Sequence, residues 1–231
     1  MQEPMLLSGP KLLLGIDTCG PMGSVALGRV TGSGDGVGVE ILGQTELEGR
    51  SYSTTLVAAI ADLLAASGVK VKDLSALVAV SGPGSFTGVR IALAAVKGLA
   101  EPAQIPVLTL SRLEILARKA ETPWSALDAH RGEVFLRMDQ PAKELLAGAR
   151  ELAAIDPAPA RIAICDDAAA VVLGAAWPAV ERVRTAPPNA ADALEQGAAR
   201  VAGGEFADLA LLDGHYVRRS DAEIFGETPR A

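Results

Sequence analysis

The chain has 231 residues, of which 49% are hydrophobic and 21% charged; this excludes a mainly disordered polypeptide and suffices for the core of one large domain or two modest ones. A formal net charge of −7 argues against nucleic-acid binding by this chain alone, because such binding rests on Lys and Arg contacts to phosphates. No apolar run approaches the roughly 20 residues of a membrane helix, and Met1–Pro10 lacks the basic start and long apolar stretch of a secretory signal, so a cytoplasmic protein without membrane contact is expected.

In chain order, Lys11–Asp17 reads as a buried strand ending on an acid, Thr18–Gly23 as a turn and Ser24–Val30 as the returning strand of a hairpin. Thr31–Gly38 is a glycine-rich turn, and Val39–Leu47 completes an antiparallel meander. A helix follows, capped by Ser51 or Ser53 and ended by Ser67-Gly68, with Leu56, Val57, Ile60, Leu63 and Leu64 on one face. Ala76–Val80 is a buried strand, and the ten residues from Ser81 to Arg90, S-G-P-G-S-F-T-G-V-R, lead into a second helix over Val89–Ala100. After Pro102 a short strand at Val107–Thr109 and a helix from Ser111 to Arg118 restart the pattern, which places a domain boundary between residues 106 and 107. Trp124–Ala129 and Glu133–Arg137 flank the turn His130-Arg131-Gly132 as a second hairpin. Arg161–Cys165 is a further strand, and Asn189 caps a helix running to Ala202.

The two hairpins echo each other: each runs strand, Asp, glycine turn, strand, with Asp17 in the first and Asp128 in the second. Unrelated hairpins can match in this way by chance. An acid at a strand end beside a glycine turn suits a hydrated magnesium ion and nucleotide phosphates, yet an Asp at a turn equally bonds its own backbone amides. In the loop, Gly82, Gly84 and Gly88 admit backbone angles closed to other residues, Pro83 stiffens the turn, and Ser85 or Thr87 caps the following helix. Such a junction receives an anion or is simply a capped turn; with Asp17 and Thr18, the residues Gly82, Gly84 and Ser85 are the weak phosphate-binding candidates. Val89-Arg90 stands where a P-loop has Lys-Ser/Thr, and the glycine spacing misses the dinucleotide fingerprint.

Catalytic signatures are missing. The two histidines, His130 and His215, form neither H-x-x-x-H nor H-E-x-x-H, no G-x-S-x-G marks a nucleophile, and Cys19 and Cys165 lack metal-site spacing. No catalytic residue and no metal ligand is therefore assigned.

G-I-D-T at Gly15–Thr18, S-G-P-G-S-F-T-G-V-R-I from Ser81 to Ile91, K-G-L-A from Lys97, I-P-V from Ile105 and L-D-A-H-R-G-E-V-F from Leu127 occur in that order. Together they resemble the TsaB family, also called YeaZ, over Leu12 to Phe135, with a weaker likeness at Asn189–Ala202 and Tyr216–Arg218. The resemblance implies an α/β fold of the two-lobed actin, hexokinase and Hsp70 (ASKHA) type, with lobes at 1–106 and 107–231 and the last helix packing back on the first lobe. It also implies a part in making N6-threonylcarbamoyladenosine beside the anticodon of tRNAs that read ANN codons. In that pathway TsaC makes threonylcarbamoyl-adenylate, TsaD transfers the group, and TsaE joins as an ATPase. TsaB is a shortened relative that pairs with TsaD and supports it without catalysis of its own, tRNA being met only through the complex. ATP or ADP and magnesium are then expected at the surface shared with TsaD and TsaE, and no cofactor of the chain's own.

The family pairs through its two long helices, which assigns the partner face to Tyr52, Thr55, Ala58, Ala61, Asp62 and Ala65 of the first and to Phe86, Arg90 and Lys97 of the second. Periodicity alone does not decide this, because alanine is also the best helix former and is abundant throughout. Tyr52-Ser53 departs from the family's frequent His-Ser, so any role tied to that histidine is in doubt. The alternatives are a stand-alone ATP-dependent enzyme of the same fold acting through Asp17, Asp128 and the glycine loop, and a glycoprotease-like hydrolase; a homodimer built on the same helices when TsaD is absent is compatible with the scaffold reading.

Overall fold

The computed structural model describes residues 11–48, 51–139 and 142–217. The readings of Met1–Pro10 and of Arg218 fall outside these residues. The described residues fall into two compact units, one within Met1–Ile115 and Pro187–His215 and one within Leu116–Ala186 and Tyr216–Ala231.

The first unit is built on a five-stranded sheet. Its strands are β1 (Leu12–Asp17), β2 (Met22–Thr31), β3 (Gly38–Glu48), β4 (Leu74–Val80) and β5 (Val107–Leu110), in the order β3-β2-β1-β4-β5. β1, β2 and β3 pair antiparallel as the expected meander, with Asp17 opposite Ser24, whereas β4 and β5 run parallel to β1. β1 is buried along its whole length and β4 nearly so, which is why both read as continuous apolar runs rather than alternating ones. Because β5 hydrogen-bonds to β4, it stays with this sheet, and the division between units falls within α3 (Arg112–Lys119) instead of before residue 107.

Two helices cover one face. α1 (Tyr52–Ala66) buries Leu56, Ala59, Ile60, Leu63 and Leu64, and Gly43 of β3 lacks a Cβ where Leu63 approaches to 2.8 Å of that position. Val57, assigned to the buried side, is 68% exposed, since it lies one position off the Leu56-Ile60-Leu63 stripe. The expected serine caps of α1 are not made: the Ser51 hydroxyl donates to the Glu48 carbonyl, and Ser53 lies inside the first turn. α2 runs from Phe86 to Ala103, longer at both ends than the sequence suggests, because Ser85 accepts a hydrogen bond from Gly88 N at 3.2 Å and so caps a helix that already contains Thr87 and Gly88.

The opposite face is covered by α6 (Ala190–Ala202), capped by Asn189, which accepts from Asp192 N. Gly15 of β1 would put a Cβ 2.7 Å from the Ala190 carbonyl, and Ser24 accepts from Ala190 N at 2.8 Å, so the helix start sits directly on the hairpin. This docking explains why Pro187–His215 returns to the first unit.

The second unit holds β6 (Ser125–Asp128), β7 (Val134–Met138), β8 (Lys143–Ala147), β9 (Arg161–Ile164) and β10 (Glu181–Arg184) in the order β10-β9-β6-β7-β8. Read from β8, this is the arrangement of the first sheet: an antiparallel meander with two parallel strands added beside its first strand. Both units thus repeat the ASKHA sheet, and the echo between the two hairpins is a true duplication of topology. α4 (Ala149–Ala153) and α5 (Asp167–Ala176) pack on its core, where Trp124 meets Trp177 edge-on at 6.2 Å.

Candidate functional site

The β1–β2 turn and the Ser81–Ser85 loop close on one another. Thr18 Oγ1 donates to the Gly88 carbonyl at 2.6 Å, Ser85 N donates to the Cys19 carbonyl at 2.8 Å, and the Cys19 thiol donates to the Val80 carbonyl. A Cβ on Gly88 would lie 1.9 Å from the Thr18 carbonyl oxygen, and one on Gly84 would lie 2.2 Å from that of Cys19. These two glycines therefore serve the approach of the chain's own backbone. Gly82 stands at φ +111°, a region that favours glycine, with its carbonyl accepting from Arg112 N and the neighbouring Ser81 carbonyl accepting from His215 N.

Asp17 is 1% exposed. Its Oδ1 accepts from Cys19 N at 2.8 Å, the turn bond that an Asp in this position readily makes, and its Oδ2 faces Arg112 Nε at 3.7 Å without a hydrogen bond. Burial pushes the carboxyl above its ordinary 3.8, with Arg112 opposing. The same burial raises the Cys19 thiol well above its usual range and takes the Tyr52 phenol up to about 12. Of the phosphate candidates in this unit, Asp17 and Thr18 are buried, Gly82 is buried, and Gly84 and Ser85 are exposed.

Asp128 belongs to the second unit, and its turn repeats the first: Oδ1 accepts from His130 N at 2.8 Å, while Oδ2 lies 2.8 Å from His130 Nδ1. His130, Arg131 and Gly132 all take positive φ, which makes the turn tight and leaves His130 exposed. Asp166 escaped the sequence reading although an acid before D-A-A-A-V-V is a helix-start signal. It caps α5 through Ala169 N and accepts from Asp128 N, fixing the end of β6. Arg112, the other residue missed, gives no such signal, since an arginine at the start of a helix normally points to water. Among the described residues no three His, Cys, Asp or Glu side chains gather in a way that would hold a metal ion.

The predicted partner face is exposed except at its start. Ala58, Ala61, Asp62 and Ala65 of α1 and Phe86 and Arg90 of α2 lie at the surface, and Thr55 and Lys97 are half-buried. Tyr52 is buried instead, with its hydroxyl donating to the Gly20 carbonyl at 2.8 Å, because Gly23 leaves room for its ring. It supports the face from beneath. Val57 extends the exposed strip, and the Arg90 guanidinium stacks on Phe86 at 3.7 Å from the ring centre.

A duplicated ASKHA sheet with this closed turn defines the class, and comparison with known proteins gives it a family. The model of TsaD, tRNA N6-adenosine threonylcarbamoyltransferase, matches residues 44–160, about half of the chain, and the chain belongs to this family. Within the family it is similar to the tRNA threonylcarbamoyladenosine biosynthesis protein TsaB of Escherichia coli, with 35% identity over 132 residues covering 53% of this chain and 52% of that one. The chain spans about half the length of the curated relatives it matches. Two solved structures from Pseudomonas aeruginosa agree over nearly their full lengths. One is described as an uncharacterized protein with similarity to peptidase YeaZ (TM-score 0.70, 28% identity, 90% of this chain and 100% of that one) and the other as YeaZ (0.66, 26%, 89% and 99%). No helix among the described residues is long and apolar enough to cross a membrane.

Proposed function

We propose that this chain is a non-catalytic subunit of the tRNA threonylcarbamoylation system, a cytoplasmic scaffold that pairs with TsaD through the exposed strip of α1 and α2. The observation that carries this reading is the contrast between two surfaces. The acid and glycine loop that would serve phosphate chemistry are engaged with the chain's own backbone, while Val57, Ala58, Ala61 and Ala65 of α1 lie exposed, as does the Phe86–Arg90 stack of α2. Small exposed side chains let a partner helix approach closely, and an aromatic–arginine pair is a common anchor of such contacts. TsaE joins this pair, ATP or ADP and magnesium act at the surfaces shared with those partners, and tRNA is reached only through the assembly.

Ala61→Arg tests the proposal. The variant should keep its circular dichroism and melting temperature yet bind TsaD at least about tenfold more weakly by sedimentation, since a charge forced into a closed contact costs more than about 1.4 kcal/mol. Equal rates of tRNA modification by TsaC, TsaD and TsaE with and without this chain would sink the reading. Magnesium-dependent ATP turnover by the isolated chain, lost in Asp17→Asn, would replace it with the enzymatic one.

A further inference from the structure

We infer that the Arg112 guanidinium is the resident cation of Asp17, standing where a divalent ion would have to bind, so that this acid organises the loop without a metal. Both side chains are buried, at 1% and 7% exposure, and each turns one polar atom toward the other: Asp17 Oδ2 and Arg112 Nε are 3.7 Å apart, and neither has a hydrogen bond. The remaining oxygen of Asp17 is taken by Cys19 N. The guanidinium lies against the turn at Gly20, where a Cβ would come within 2.4 Å of Nη2, so the absent side chain at position 20 is what admits it. Its backbone is fixed as well, because Arg112 N donates to the Gly82 carbonyl at 2.6 Å.

A divalent ion asks for about six oxygen ligands, most of them carboxylate, carbonyl or water. Here a single carboxylate with one oxygen already engaged faces a fixed positive charge, and the pair is neutral as it stands. Adding a double positive charge beside Arg112 would leave it uncompensated in a site closed to water. The donor set therefore does not fit magnesium, whereas it fits a guanidinium.

Manganese titrated into the natural chain and followed by electron paramagnetic resonance should show no saturable site that Asp17→Asn removes; such a site would overturn the inference. Arg112→Ala leaves the carboxylate unpaired and should melt about 10 °C lower. Added methylguanidinium should recover part of that loss, while the double variant Asp17→Asn/Arg112→Ala should melt above Arg112→Ala and not respond to it. A single variant without response, or a double variant recovered equally, would contradict the assignment. Should Arg112→Ala fail to fold, Arg112→Lys and Arg112→Met decide it: the lysine variant should melt clearly higher, and equal losses would count against a cation role. None of these readouts depends on TsaD.

Discussion

Three consecutive carbonyls hold the centre of the first unit. Thr18 O lies against Gly88, Cys19 O accepts from Ser85 N, and Gly20 O accepts from the Tyr52 hydroxyl, so one turn joins β1 to both long helices. Gly88→Ala should therefore cost at least about 2 kcal/mol in urea unfolding, because a Cβ 1.9 Å from a backbone oxygen forces the helix away. Gly98→Ala, in the same helix with nothing within 4 Å, should gain up to about 1 kcal/mol. Removal of the phenol oxygen in Tyr52→Phe should cost about 1 kcal/mol, the ordinary worth of one hydrogen bond. The pH dependence follows from Asp17. Its folded carboxyl sits above 3.8, chiefly through burial, so between 3.8 and its folded value the folded chain keeps a proton that the unfolded chain has released. Stability from this group is full below 3.8 and declines as pH rises through the folded value. Unfolding titrations of Asp17→Asn should lack that decline, and in Arg112→Met it should extend to higher pH.

At the scale of elements, the strands were legible because their residues are buried on one or both faces and leave runs of Leu, Ile, Val and Ala bounded by Gly, Asp and Pro. The start of α1 was less so: Ser51 can cap in principle, but its hydroxyl turns back to Glu48. α2 reads short in the sequence because Phe86, Thr87 and Gly88 are loop-like residue types, and the Ser85 cap that brings them into the helix depends on the backbone around it. α4, α5 and β10 fall where the resemblance gave little and where short apolar runs do not separate helix from strand. On α6, replacing Ser24 with Ala removes the acceptor for the buried Ala190 N and should destabilise the chain by about 1–3 kcal/mol. A cost under a few tenths would mean that α6 is not anchored by its first turn.

At the scale of the molecule, the first unit is discontinuous in sequence, since α6 lies on β1 through β5 after an excursion through the second sheet. Hydrogen exchange should accordingly protect amides of α6 together with those of β1 and β4, as one opening unit; exchange of α6 alongside β9 would contradict this. The sequence by itself determined the two hairpins, the Leu56-Ile60-Leu63-Leu64 stripe of α1 and the family likeness, because apolar period and glycine turns act over a few residues. Only the tertiary structure decided what the signature residues touch. Gly84 and Gly88 answer to Cys19 and Thr18, about seventy positions away, Tyr52 turns inward under Gly20, and Asp17 meets Arg112. A close backbone approach and a buried charge pair join residues that are distant along the chain, and no local pattern of residue types records which partner the fold will bring.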